Sequence, residues 1–306
     1  MRRSTERILT THTGSLPRPP DLTRSMYDYI DGKPIDQNHL RERFRSATAD
    51  IVRQQIAAGV DAINDGEFTK AGYSTYVTDR LTGFEGPPAQ LVISEMQRYP
   101  EYWGRMFQDR AMEGFPHLKT PTCNGPIGIK DSQAVQRDIN NFKAALQGTS
   151  PTDTFMTAAS PGVIAAFLEN HHYPTEEAYL AALADAMRPE YEAISNAGFT
   201  LQLDCPDLAM SRQMGAFATA SLEDFRRSAA LRVEALNHAV ARIPAEQMRM
   251  HICWGNWEGP HDGDVPLRDV IDVILRAKPS AISLEAANPR HAHEWQVFEE
   301  IKLPEG

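Results

Sequence analysis

Cysteine is scarce in this 306-residue chain: Cys123, Cys205 and Cys253 are the only three. They are too few and too scattered for a disulfide framework, which suits a reducing compartment and leaves a thiolate free for metal. No apolar run approaches the roughly 18 residues of a membrane span. The opening MRRSTERILTTHTG carries basic residues but no apolar stretch of the secretory kind, so we read the chain as cytoplasmic with no membrane partner. Positive charge is also in deficit, with 31 Lys and Arg against 41 Asp and Glu and a formal net charge of -10. The acidic residues are spread along the chain, which speaks against a nucleic-acid partner. No G-x-G-x-x-G follows the first strand-like run, so a dinucleotide fold loses its main support. Nothing resembles a domain-scale linker, and 42% hydrophobic content is enough for one large core.

What the chain does have is alternation. Residues 7–13 read as a strand, stopped by a loop of glycine and prolines at 14–20. Residues 39–58 show helical spacing with a stop at Gly59, and 60–65 read as a second strand. Residues 68–120 have no clear period and look like a long βα insertion of the kind that builds binding surface. Further strands are expected at 121–129, 154–159, 199–203, 248–255 and 281–286. Helices are expected at about 132–147, 175–197, 221–243, 266–277 and 290–301. Seven βα units at this spacing imply a parallel sheet, either open or closed as a (β/α)8 TIM barrel. Polar residues at the C-terminal ends of several different strands favour the barrel. The expected organisation is one TIM-barrel-like domain over 1–306, with the insertion at about 68–120 and a truncated C-terminal end that lacks the eighth unit. Such an open barrel exposes its first and last strands, which points to a homo-oligomer or poor solubility.

The chemistry concentrates in Met248-Arg249-Met250-His251-Ile252-Cys253-Trp254-Gly255. On a strand, residues i and i+2 share a face, so His251 and Cys253 lie side by side. That is half a zinc site; the plainer reading is a buried cysteine beside a hydrogen-bonded histidine. In the next strand-like run, Ile282 and Leu284 take one face and Ser283 and Glu285 the other. A buried carboxylate needs a partner, and His251 with Cys253 can share one with Glu285. Asp65 reads either as a cap of the Gly66 turn or as a site residue, and Asp204 as a site residue or a loop acceptor. By strand parity Cys205 points with Leu203 away from the axis. His171, His172, His291 and His293 read as surface residues, while Trp254, Trp257 and His261 read as lining a pocket over the site.

Taken together, Thr13-Gly14-Ser15-Leu16-Pro17-Arg18, Asp65-Gly66-Glu67, Leu203-Asp204-x-Pro206, His251-x-Cys253 and Leu284-Glu285 resemble the catalytic C-terminal barrel of the cobalamin-independent methionine synthases. The motifs occur in family order over nearly the whole chain. The resemblance implies an S-methyltransferase in which Zn2+ is held by His251, Cys253 and Glu285. The metal would bind the thiol of homocysteine and deliver it as a thiolate to a methyl donor, methyl-folate or another carrier. It also implies that Glu67 and Asp204 hold the amino group, and that the backbone around Thr13, Gly14 and Ser15 takes the carboxylate. In the family a further cysteine ligand and a general-acid histidine come from a segment this chain does not contain, so no catalytic residue is carried over. The wider superfamily leaves two alternatives: a zinc-dependent alkyltransferase for another small thiol, similar to the epoxyalkane:coenzyme M transferases, or an incomplete barrel that only binds ligand.

Overall fold

The computed structural model describes residues 1–89, 92–112 and 120–304. Its centre is a five-stranded parallel sheet in sequence order: β1 (Ala62–Ile63), β2 (Asp153–Ala159), β3 (Thr200–Asp204), β4 (Met248–Ile252) and β5 (Ala281–Leu284). Ahead of β1, Thr11 forms a single parallel bridge to Ala62. The helices are α1 (Pro20–Ile30), α2 (Gln37–Ala57), α3 (Ser94–Arg98), α4 (Pro100–Met112), α5 (Ala134–Ala145), α6 (Pro161–Phe167), α7 (Glu176–Asn196), α8 (Leu222–Ala239), α9 (Ile271–Ile274) and α10 (Val297–Glu300).

Local chemistry starts and stops the long helices. Asp36 caps α2 by accepting from the N–H groups of Asn38 and His39 at 2.9 and 3.1 Å. Thr175 does the same for α7 through Ala178 N–H, and Ser221 for α8 through Asp224 N–H. Gly59, just past the end of α2, takes the left-handed conformation that ends it, with φ at 75°.

Alternation sorts the strands into two faces. Met156, Ala158, Leu201, Leu203, Met248, Met250 and Ile252 join the main core with residues of α7 and α8. The register sets Thr157 beside Gln202, Ala159 beside Asp204, and Asp204 beside His251, so the opposite face is polar. Across this face Arg249 of β4 donates to Thr11 Oγ1 at 3.1 Å and to the His12 carbonyl at 3.2 Å. Its guanidinium carbon lies 3.8 Å from the centroid of the Phe155 ring. Gln202 of β3 likewise donates to the Thr13 carbonyl. In a flat sheet Thr11 and β4 would stand four strand spacings apart, roughly 19 Å, beyond the reach of an arginine. The sheet therefore curls, and its polar face becomes the inside of a trough.

The expected third strand, 121–129, does not enter the sheet, and β1 pairs directly with β2. Pro121, Gly125, Pro126 and Gly128 deprive it of ladder donors and of side chains to pack. It makes only isolated bridges, Pro121 to Pro88, Cys123 to Asn170 and Ile129 to Leu81. The expected strand at 7–13 shrinks to the Thr11 bridge. Within the expected insertion lie a 3-10 turn (Thr75–Asp79), α3 and α4; residues 90–91 and 113–119 of it fall outside the described residues. Among the described residues no helix is long and apolar enough to cross a membrane.

Candidate active site at the strand ends

Two loops meet where the strands end. Asn64, following β1, donates from Nδ2 to the Gly14 carbonyl at 3.0 Å and accepts Gly66 N–H at 2.8 Å. Asp65 accepts Glu67 N–H at 3.0 Å, so it does cap the turn. Glu67 itself sits at φ 59°, a conformation few non-glycine residues adopt, and Arg18 holds it by donating to its carbonyl at 2.7 Å. The turn aims the Glu67 carboxylate inward, where a Cβ added to Gly14 would fall 2.1 Å from Glu67 Oε1 and 3.0 Å from Thr157 Cγ2. Only glycine tolerates that approach.

Glu67 and Asp204 are both buried, at 3% and 7% exposure. Asp204 accepts from the Gln202 amide at 2.9 Å. Burial, then the Glu67 charge, hold the Asp204 carboxyl well above its usual range. Burial also pushes Asp65 up to about 6. Lys70 supplies a nearby cation, but its Nζ is engaged by the Thr157 carbonyl and hydroxyl and sits 4.7 Å from the Tyr76 ring centroid. The structure thus brings Gly14, Glu67 and Asp204 together, with the Thr13 carbonyl tied to Gln202 and Ser15 exposed at the rim. Sequence reasoning missed Lys70, Gln202 and Arg249. For Gln202 and Arg249 the available signal was a polar residue on a strand of apolar alternation; Lys70, in the turn after β1, carried no such signal.

On the neighbouring strands, His251 pairs with Ser283, and Cys253 and Glu285 follow two residues beyond each. Burial and the Arg249 charge lower His251 to about 4, so its imidazole is neutral, and among the described residues its buried Nδ1 has no hydrogen-bond partner. Burial pushes the Cys253 thiol up to about 12, with the charges of Glu285, Asp204 and Asp264 adding to the effect. Glu285 is raised by burial and accepts from Asn288 Nδ2 at 2.9 Å. Among the described residues, the donor atoms of these three do not all fall within 4.8 Å of one another; those of His261, Asp264 and His291 do.

That second group lies next to the first. His261 Nδ1 and His291 Nε2 each stand 2.9 Å from Asp264 Oδ2. Trp257 stacks on His261 with centroids 4.4 Å apart, and Trp254 on His291 at 3.9 Å. Trp254 is fully buried and donates to the Val265 carbonyl, and Trp257 donates to Glu95 Oε2 at 2.9 Å. These rings pack the loop, whereas the sequence suggested a pocket lining. His291, expected at the surface, is buried because Asp264 gives it a partner; His171, His172 and His293 are exposed as expected. Cys205 is 1% exposed in the main core beside Leu203, as strand parity required. A cavity of about 610 Å3 lies elsewhere, between α1, α2 and α5, and is lined by Tyr76.

A curled parallel sheet with carboxylate, imidazole and thiol groups gathered at the carboxyl ends of its strands defines the class: an α/β protein whose chemistry is carried on strand-end loops, with a candidate metal-binding group among them. The comparisons narrow that class. No family model matches the chain. It is 24% identical over 282 residues to a methionine synthase of Thermococcus kodakarensis, covering 91% of this chain and 68% of that protein. It is 26% identical over 273 residues to one of Saccharolobus solfataricus, covering 87% and 69%. Among solved structures, a B12-independent methionine synthase from Shewanella sp. W3-18-1 in complex with selenomethionine superposes with a TM-score of 0.64 at 20% identity, over 90% of this chain and 72% of that one. A putative vitamin-B12 independent methionine synthase from Listeria monocytogenes gives 0.56 at 21%, over 84% and 69%. The curated homologues of this chain are methionine synthases, of whose length it spans about two thirds, and its fold is that of the B12-independent enzymes.

Proposed function

We propose that this chain is a cytoplasmic, zinc-dependent methyltransferase of (β/α)8 type that moves a methyl group from methyl-folate or another carrier to the thiol of homocysteine. The observation that carries the reading is the buried pair Glu67 and Asp204, with Glu67 pressed against Gly14 and Asp204 beside a neutral histidine whose Nδ1 has no hydrogen-bond partner among the described residues. Two carboxylates of which, among the described residues, only one is given a side-chain hydrogen bond, from the Gln202 amide, suit an ammonium group. Glu67 and Asp204 hold the substrate amino group, and backbone at Thr13, Gly14 and Ser15 receives its carboxylate.

The donor set of His251, Cys253 and Glu285 fits zinc by type: a neutral imidazole with a free lone pair, a sulfur and a carboxylate from the adjoining strand. Zinc held there would keep the substrate sulfur as a thiolate at neutral pH. Burial of His251 keeps that ligand unprotonated, and Asn288 orients Glu285.

The decisive experiment measures homocysteine methylation together with zinc-edge absorption. Glu67→Gln and Asp204→Asn are expected to raise KM for homocysteine with unchanged zinc content, and homocysteine is expected to add a sulfur to the zinc shell. Wild-type kinetics in both variants, or purified protein that holds less than about a tenth of an equivalent of zinc and gains no activity when zinc is added, would sink the proposal.

A further inference from the structure

The site proposed above uses His251, Cys253 and Glu285, and leaves unexplained a second cluster of buried ligand-type side chains, His261, Asp264 and His291. His261 and Asp264 lie in the loop after β4, and His291 in the segment after β5. Their side chains are 3%, 7% and 5% exposed. Both imidazoles approach the same carboxylate oxygen at 2.9 Å.

The outer contacts decide where the ring protons sit. His261 Nε2 is 2.9 Å from the Trp257 carbonyl, which can only accept, so that nitrogen carries a hydrogen. A neutral His261 ring would turn its Nδ1 lone pair against the Asp264 oxygen at 2.9 Å, a repulsive contact, so a cation, either a proton or a metal ion, belongs between the two. Among the described residues His291 Nδ1 has no hydrogen-bond partner, and it faces Glu294 Oε1 at 3.7 Å, where a hydrogen is favoured and a lone pair is repelled. With that hydrogen on Nδ1, His291 Nε2 also turns a lone pair toward Asp264. The other Asp264 oxygen accepts from the Gln213 amide. Three ligand atoms converge; His261 and Asp264 are each oriented by a second hydrogen bond, as metal ligands characteristically are, and His291 by stacking on Trp254.

Charge points the same way. Glu95 is fully buried, one of its oxygens has no hydrogen-bond partner among the described residues, and the other accepts from the Trp257 ring that stacks on His261. Glu294 is 6% exposed. Three buried carboxylates, Glu95, Asp264 and Glu294, thus surround two imidazoles, with Glu285 adjacent. Buried negative charge of this density needs cations. Two nitrogens and one carboxylate oxygen suit a first-row divalent ion such as Zn2+ and disfavour the all-oxygen preference of Mg2+ or Ca2+.

We propose that His261, Asp264 and His291 form a second divalent-cation site, which takes Zn2+ or a related first-row ion and fastens the loop that follows Cys253 to the segment that follows Glu285. Its role is structural: one ion cross-links the two loops that carry the strand-end ligands. The rival arrangement is a proton on each imidazole in place of the metal.

The test uses the full chain carrying His251→Gln and Cys253→Ser, which removes two ligands of the first set, so that its outcome does not depend on the methyltransferase reading. Equilibrium dialysis against Zn2+ is expected to show about one equivalent bound in that background. Co2+ is expected to give ligand-field bands without a thiolate charge-transfer band. Adding Asp264→Asn or His291→Gln, each checked for native circular dichroism, is expected to abolish the bound equivalent and to remove the drop in Tm that a chelator causes in the background protein. Two folded variants are used so that a failure of one to fold leaves the other decisive. Background protein that binds no Zn2+, or retention of the full equivalent after either substitution, overturns the proposal.

Discussion

Replacing Gly14 with alanine tests how tightly the substrate-binding corner is built. The new Cβ would fall 2.1 Å from Glu67 Oε1, where an ordinary carbon to oxygen contact is about 3.3 Å. The overlap is therefore about 1.2 Å. Thr157 Cγ2 blocks the other side at 3.0 Å, so the methyl group cannot escape and the Glu67 carboxylate must move by about 1 Å. A displacement of that size at a positioning group costs about 100-fold in rate, equivalent to about 2.7 kcal/mol of transition-state stabilisation. We expect kcat/KM for homocysteine to fall by about that factor in Gly14→Ala. The backbone at φ 157° adds a stability cost that is independent of Glu67. A double-mutant cycle with Glu67→Ala separates the two effects, since truncating Glu67 removes the clash and leaves the strain. In that background Gly14→Ala should reduce kcat/KM by less than about threefold further. Wild-type kcat/KM in the single variant, or fully additive losses in the double variant, would refute the packing argument.

Two further outcomes follow from buried charge. Asp65 binds its proton more tightly folded than unfolded, so stability should decline as pH rises from about 4 through about 6 and then level off. From 3.8 to about 6 at 1.36 kcal/mol per pH unit, the burden above pH 7 is about 3 kcal/mol. Asp65→Asn keeps an acceptor for Glu67 N–H and should be more stable in urea by about 2 to 3 kcal/mol at pH 8, with the gain vanishing near pH 4; an equal gain at both values contradicts the assignment. Arg249→Met removes the donors to Gln202 Oε1, Thr11 Oγ1 and the His12 carbonyl. With about 1 to 3 kcal/mol for each buried acceptor left unsatisfied, and Thr11 near solvent, the loss should be about 3 to 5 kcal/mol by urea denaturation, and a loss below about 1 kcal/mol would show that the tie across the trough carries no stability.

Strand alternation and helix capping were legible in the chain because both are local: the period-two pattern of Met248 to Ile252 and of Thr200 to Asp204, and the Asp36, Thr175 and Ser221 caps, depend on neighbours a few residues away. The same locality made Glu67, Asp204, His251, Cys253 and Glu285 visible as strand-end polar residues, and put Cys205 on the core face. What the sequence could not decide was whether 121–129 joins the sheet, since its apolar residues satisfy a strand pattern while its prolines and glycines fail the ladder. Nor could it show that His291 is buried, because its partner Asp264 lies in a different loop, or that Gly14 abuts Glu67. Those outcomes rest on contacts between residues far apart in the chain, formed only when the sheet curls and brings one loop against another, and on desolvation that exists only once both loops are in place.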